Sequence, residues 1–127
     1  MFLLKNIINI LDAMKGQEVR YFDVPRRCGK STAVAALSRY NYAVLNAFER
    51  QRDVTISNGG DPDNIFTKIR DMRDLNFNGI IIEEGFYRSN LEDDIKELKA
   101  FNCPILVIGT SEFTEKLFLN FMEKIRG

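Results

Sequence analysis

Histidine is missing from the 127 residues, and cysteine occurs only twice, at Cys28 and Cys103. Without imidazole, and without two thiols at ligand spacing, a structural zinc site is excluded, so any metal is expected on oxygen ligands. Two cysteines are too few for a disulfide framework, and both are expected as reduced thiols in a cytosol-like, cytoplasmic compartment. A surplus of charge is lacking too. Lys plus Arg and Asp plus Glu each total 18, which cancels any global field toward nucleic acid or anionic membrane and leaves DNA contact to a local patch. There is no long polar or low-complexity tract, so at 45% hydrophobic and 28% charged residues the chain reads as one folded domain over 1–127. Nor is there an apolar run long enough to span a bilayer. The stretch from Met1 to Leu11 comes nearest, but Lys5, Asn6, Asn9 and Asp12 interrupt it and no small-residue cleavage site follows. The expectation is a helix within 1–16, with Leu4, Ile7, Ile8 and Leu11 facing the core and Gly16 ending it, and no membrane association.

What is present is an alternation of strand and helix patterns. Arg20 to Val24 predicts a short strand, and Thr32 to Tyr40, with Ala33, Ala35, Ala36 and Leu37, a helix. Tyr42 to Asn46 and Val54 to Ser57 read as further strands, the second closed by a turn at Asn58-Gly59-Gly60. Asp61 before Pro62 predicts a helix start, and Ile65, Phe66, Ile69 and Met72 carry helical spacing to Asp74. Gly79 to Ile82 is apolar and rich in β-branched residues, hence a central strand buried on both faces, and it ends on Glu83 and Glu84. Leu91, Ile95 and Leu98 mark another helix, and Pro104 to Gly109 a second buried strand. Leu117, Phe118, Phe121, Met122 and Ile125 line one side of a final helix. This order specifies an α/β fold in three layers, a minimal, mostly parallel sheet of about five strands flanked by helices, with ligand chemistry at the carboxyl ends of the strands.

Between the first strand and the Ala-rich helix lies Val24-Pro25-Arg26-Arg27-Cys28-Gly29-Lys30-Ser31-Thr32. A phosphate-binding loop needs inward-turned backbone N–H groups, a helix N-terminus behind them, a lysine for the β and γ phosphates and a hydroxyl for the metal; Gly29, Lys30 and Ser31 supply these in order. The full pattern G-x-x-x-x-G-K-[ST] has Gly where this chain has Val24. The expected nucleotide-binding residues are Pro25, Arg26, Arg27, Cys28, Gly29, Lys30, Ser31 and Thr32. Cys28, near a helix N-terminus, is expected to favour thiolate. Glu83 and Glu84 end the apolar strand, where the first acid suits the hydration shell of Mg²⁺ and the second suits activation of the attacking water, so Glu84 is the candidate base. The alternative is that the pair caps the next helix. Thr110 and Ser111 end the other central strand, and sensing a γ-phosphate or capping the last helix are compatible roles there. Arg26 and Arg27 offer positive charge to a transferred phosphoryl in cis, or form a solvent-facing basic pair. Arg50 and Arg52 read as a solvated face, with contact to a DNA backbone as the alternative.

With a loop reading Val-Pro-Arg-Arg-x-Gly-Lys-Ser and a strand reading Ile-Ile-Ile-Glu-Glu, the chain resembles the ATPase of viral DNA-packaging terminases, the large subunits of tailed phages and herpesviruses. These belong to the additional-strand class of P-loop NTPases. That family commonly replaces the first Walker A glycine and favours arginine within the loop, a pattern that accommodates Val24. The segment from Ile56 to Pro62 is similar to the strand, glycine turn and acidic stretch that precede Walker B in phage members. Covering Arg20 to Ser111, the resemblance implies a P-loop NTPase fold that binds ATP and Mg²⁺ and hydrolyses ATP. It implies Lys30 and Ser31 on phosphate and metal, Glu83 on metal, Glu84 on water, Arg26 or Arg27 acting in cis, and Thr110 coupling hydrolysis to movement. It also implies double-stranded DNA, packaging subunits or further copies of the chain as partners, in the host cytoplasm. Since a motor domain with its nuclease exceeds this length, it implies a shortened relative, a split subunit or an excised fragment. Two other expectations stand beside it: an ATPase of the same class acting on a protein partner, and a nucleotide-binding interaction module with little turnover.

Overall fold

Strands and helices alternate along the chain in the computed structural model, which describes residues 2–24, 29–84 and 90–109. In order they are α1 (Phe2–Ala13), β1 (Val19–Asp23), α2 (Lys30–Ser38), β2 (Tyr42–Leu45), α3 (Glu49–Ser57), β3 (Ile65–Phe66), β4 (Gly79–Glu83), α4 (Leu91–Leu98) and β5 (Ile105–Gly109). Short 3-10 turns occupy Pro62–Asn64, Ile69–Met72 and Lys99–Phe101. The five strands make one parallel sheet in the order β1-β5-β4-β2-β3. This is a mixed α/β fold with helices flanking the sheet. Among the described residues no helix is long and apolar enough to cross a membrane. The final helix expected around Leu117 to Ile125 lies outside them.

The centre of the sheet explains its layers. Ile80, Ile81 and Ile82 have no exposed surface, and their side chains alternate between the two faces of β4. Ile80 and Ile82, with Leu45, Ile105 and Val107, pack on Leu91, Ile95 and Leu98 of α4. Ile81, with Val44, Leu106 and Ile108, packs on Ile7 and Leu11 of α1 and on Val34 and Leu37 of α2. Each such side chain stabilises the fold by roughly 1.5–3 kcal/mol through burial, so neither layer of helices is dispensable. On α1 the buried stripe is Leu3, Ile7, Leu11 and Met14, with Leu4 and Ile8 half-buried beside it. The stripe is thus rotated slightly from the expected one.

Two expected elements have a different conformation. The segment Val54 to Ser57, expected as a strand because Val54, Thr55 and Ile56 are β-branched in succession, is the second half of α3. Gln51 starts the helix well, its side chain accepting from the Ala47 N–H at 2.8 Å. The turn at Asn58-Gly59-Gly60 stops it: Gly59 takes φ +96°, its N–H donates to Ile56 O at 3.0 Å, and the Gly60 N–H donates to Thr55 O at 3.1 Å. That is a Schellman stop, the glycine signature of a helix end, and not a turn after a strand.

The expected helix from Asp61 to Asp74 is instead a 3-10 turn, the two-residue β3 and another 3-10 turn. Asp61 does cap its turn, accepting from the Asp63 N–H at 3.0 Å. Continuation as an α-helix would need the carbonyls of Pro62 and Ile65, and both are taken by Arg52, which donates from Nη2 at 3.0 Å and from Nε at 2.7 Å. Ser38 holds the same segment from α2, accepting from the Asp61 N–H at 2.9 Å, while Asn64 Nδ2 donates to Ser38 O at 2.7 Å. Ile65, Phe66, Ile69 and Met72 are buried as expected, from other backbone conformations. The strand that brings the sheet to five is therefore β3, Ile65–Phe66, in place of Val54 to Ser57.

Gly60 has no room for a side chain. A Cβ there would lie 2.4 Å from Ile65 Cδ1 and 2.8 Å from the carbonyl oxygen of Thr55, a backbone atom. Gly60→Ala should destabilise the protein by about 1–3 kcal/mol, read as a lower urea midpoint at an unchanged slope. An unchanged midpoint would contradict the tight apposition of the α3 stop and β3.

Candidate functional site

Because every strand runs the same way, their carboxyl ends share one edge of the sheet, the edge where open α/β sheets gather ligand chemistry. α2 starts there, soon after β1. Val24 is 2% exposed, packs in the cluster that joins α1 and α2, and donates its N–H to Gly109 O at 2.9 Å. The residue that occupies the missing-glycine position is thus a core residue that extends the β1–β5 ladder. Gly29, at φ +87° and ψ 23°, sits in the left-handed region that a side chain would strain. Its carbonyl accepts from the Ala33 N–H at 2.9 Å and opens α2. No side chain among the described residues caps this end, so the first amides of α2 and the positive end of its dipole remain for an anion.

Lys30, the first residue of α2, forms an ion pair with Glu84 through Nζ and Oε1, and each side chain is only 13% exposed. Glu84 follows β4 and is held by its N–H, which donates to Ile108 O at 2.8 Å. Its φ of +52° is left-handed without glycine's freedom, a strain of order 1 kcal/mol of the kind that collects at functional sites. Glu83, the last residue of β4, is 2% exposed. Its Oε1 accepts from Asn46 Nδ2 at 3.0 Å, and Thr55 Oγ1 lies 3.4 Å from the same oxygen. Its Oε2 is buried without a hydrogen-bond partner among the described residues.

Burial is the largest influence on Glu83 and pushes its pKa above the usual carboxylate value; the Lys30 charge and the Asn46 hydrogen bond pull it down, Glu84 pushes it up again, and Thr55 pulls it down a little. The net direction is upward. A carboxylate in this setting is costly to ionise until something with positive charge or a proton to donate meets its free oxygen.

Of the residues singled out by sequence, Gly29, Lys30, Glu83 and Glu84 meet at this edge. Ser31 is half-buried in the first turn of α2, and Thr32 is exposed. Pro25, Arg26, Arg27, Cys28, Thr110 and Ser111 lie outside the described residues. No protein-family model matches this chain, and no curated protein matches it. Arg50 is exposed, whereas Arg52 is spent on the two carbonyls before and within β3 and is not a free basic patch. Cys103 is a buried free thiol, its pKa pushed up to about 11 by burial. Two site residues had no role in the sequence reading, Asn46 and Thr55. Asn46 was legible in principle, since it stands at the carboxyl end of a strand; Thr55 was hidden by reading its segment as β.

The raised pKa of Glu83 has a measurable sign. The stability conferred by its protonated form is fully present below the unfolded-state value near 4.5 and is lost as pH rises through the higher folded-state value. Glu83→Gln, which cannot ionise, should therefore be more stable than the wild type near neutral pH, by about 1–2 kcal/mol for removal of a buried, incompletely paired charge. Thermal melts across pH check this. The gap should close on acidification toward 4.5, and a gap that widens on acidification would refute it.

Proposed function

We propose that this chain is a P-loop ATPase of the additional-strand class, terminase-like in its loop, that hydrolyses ATP with Mg²⁺ to act on double-stranded DNA. One observation carries the reading: the lysine at the start of α2 is paired with the acid that follows β4, next to a second, buried acid. β5 lies between β1, which leads into the loop, and β4, which leads into the acids, an arrangement in keeping with that class.

The residues divide the work as follows. The phosphates of ATP lie against the first amides of α2, and Lys30 exchanges the Glu84 carboxylate for phosphate oxygens. Released from the ion pair, Glu84 accepts a proton from the attacking water as its oxygen bonds the γ-phosphorus and the bond to the β–γ bridging oxygen breaks, giving ADP and phosphate. Ser31 and Glu83 would hold Mg²⁺: both are oxygen donors, and Glu83 Oε2 is buried without a hydrogen-bond partner among the described residues. The cation, when bound, neutralises charge on the β and γ phosphates. From the sequence, Pro25 and Cys28 line the phosphates, Arg26 or Arg27 supplies charge in cis, and Thr110 senses the γ-phosphate.

Phosphate release, with and without double-stranded DNA, tests this on the wild type, Lys30→Ala and Glu84→Gln, with nucleotide binding followed in parallel. Lys30→Ala should abolish binding; undiminished affinity would remove the phosphate-loop assignment. Glu84→Gln should bind ATP and lose turnover by roughly 100-fold or more, the scale of a lost general base. A wild type that binds ATP but releases no phosphate, even with DNA, would be a nucleotide-dependent interaction module instead.

A further inference from the structure

Two buried polar side chains converge on one oxygen of Glu83. Asn46 follows β2 directly and has no exposed surface. Its backbone N–H donates to Phe66 O at 2.7 Å, which adds one bond to the β2–β3 ladder and fixes the residue before its side chain does anything. Its Nδ2 then donates to Glu83 Oε1 at 3.0 Å. Thr55, 1% exposed, approaches from α3. Its hydroxyl has one proton and two acceptors in reach, Gln51 O at 3.1 Å and Glu83 Oε1 at 3.4 Å. Asn46 is the firm contact, Thr55 the adjustable one.

The distribution of these donors matters more than their number. Both fall on Oε1, and Oε2, equally buried, has none among the described residues. Mere satisfaction of a buried acid would be better served by spreading donors over both oxygens, because an acceptor left unmet costs about 1–3 kcal/mol. A carboxylate anchored through one oxygen keeps the other in a fixed place for a ligand. We infer that Asn46, assisted by Thr55, is a positioning residue that holds Glu83 by Oε1 so that Oε2 is presented to the hydration shell of a divalent cation. This rests on the ATPase reading above and adds to it the residues that aim its metal acid.

The test uses Mn²⁺ as the cation and the electron paramagnetic resonance signal of free Mn²⁺ as the readout, on the protein saturated with ADP. ADP affinity without metal is measured alongside. Outer partners that orient a metal ligand are typically worth about 10–100-fold in metal affinity. Asn46→Ala should weaken Mn²⁺ binding on that scale and leave metal-free ADP affinity unchanged. Thr55→Val should weaken it less, and Thr55→Ser, which keeps the hydroxyl, should restore the wild-type value. Equal Mn²⁺ affinity in the wild type and a folded Asn46→Ala overturns the inference. So does a parallel loss of metal-free ADP affinity, the mark of a merely structural residue. If Asn46→Ala does not fold, Thr55→Val decides, and unchanged Mn²⁺ affinity there overturns the inference. Should the wild type bind ADP but no Mn²⁺, the inference falls and the phosphate loop stands; should it bind neither, the ATPase reading falls with it.

Discussion

A strand that is apolar on both faces can be buried only between two layers, and β4 imposes that requirement on everything around it. Ile80 and Ile82 need α4, Ile81 needs α1 and α2, and of these helices α2 and α4 also serve as crossovers between parallel strands. Parallel strands in turn deliver their last residues to a single edge. Glu83 and Glu84 meet the start of α2 because β4 lies two strands from β1 in a sheet of one direction. The apolar core thus positions the polar site.

Electrostatics at that edge are balanced in an unusual way. Lys30 is paired with the half-buried Glu84 and also lowers the cost of charging the deeply buried Glu83, so a single cation serves two acids. For Glu83 burial outweighs that help, which is why its pKa moves upward in spite of two hydrogen-bonding neighbours. Glu84 adds backbone strain at φ +52°, held in place by its own N–H bond to Ile108. A site with backbone strain and a costly buried charge draws its support from the core packed around it.

The parts legible in sequence were those set by local, repeated signals. The run Gly79 to Ile82, the helix with Leu91, Ile95 and Leu98, and the Ala-rich helix after Gly29 each state their structure within a few residues, and each is found in place. Val54 to Ser57 was misread because β-branched residues speak for a strand whereas the decisive signals, Gln51 before them and Gly59 after them, lie outside the segment. Ile65 and Phe66 were misread for a long-range reason: the Arg52 guanidinium, 13 residues away for Ile65, takes the carbonyl that a helix would use. Asn46 and Thr55 matter through Glu83, 37 and 28 residues distant; the strand end marks Asn46 as a candidate, but no local pattern announces which acid the two residues meet. Periodicity reports which residues are buried more reliably than the backbone that buries them.

Arg52 has one more consequence. In a parallel pair alternate carbonyls point to opposite sides of the strand; Phe66 O turns inward to the Asn46 N–H, and Ile65 O turns outward, where the guanidinium meets it. The outer rim of β3 is only two residues long, and its outward carbonyl is already engaged by a charged side chain. A strand from a neighbouring molecule would meet a two-residue rim whose outward carbonyl is occupied, so Arg52 helps to blunt this margin of the sheet against edge-to-edge pairing.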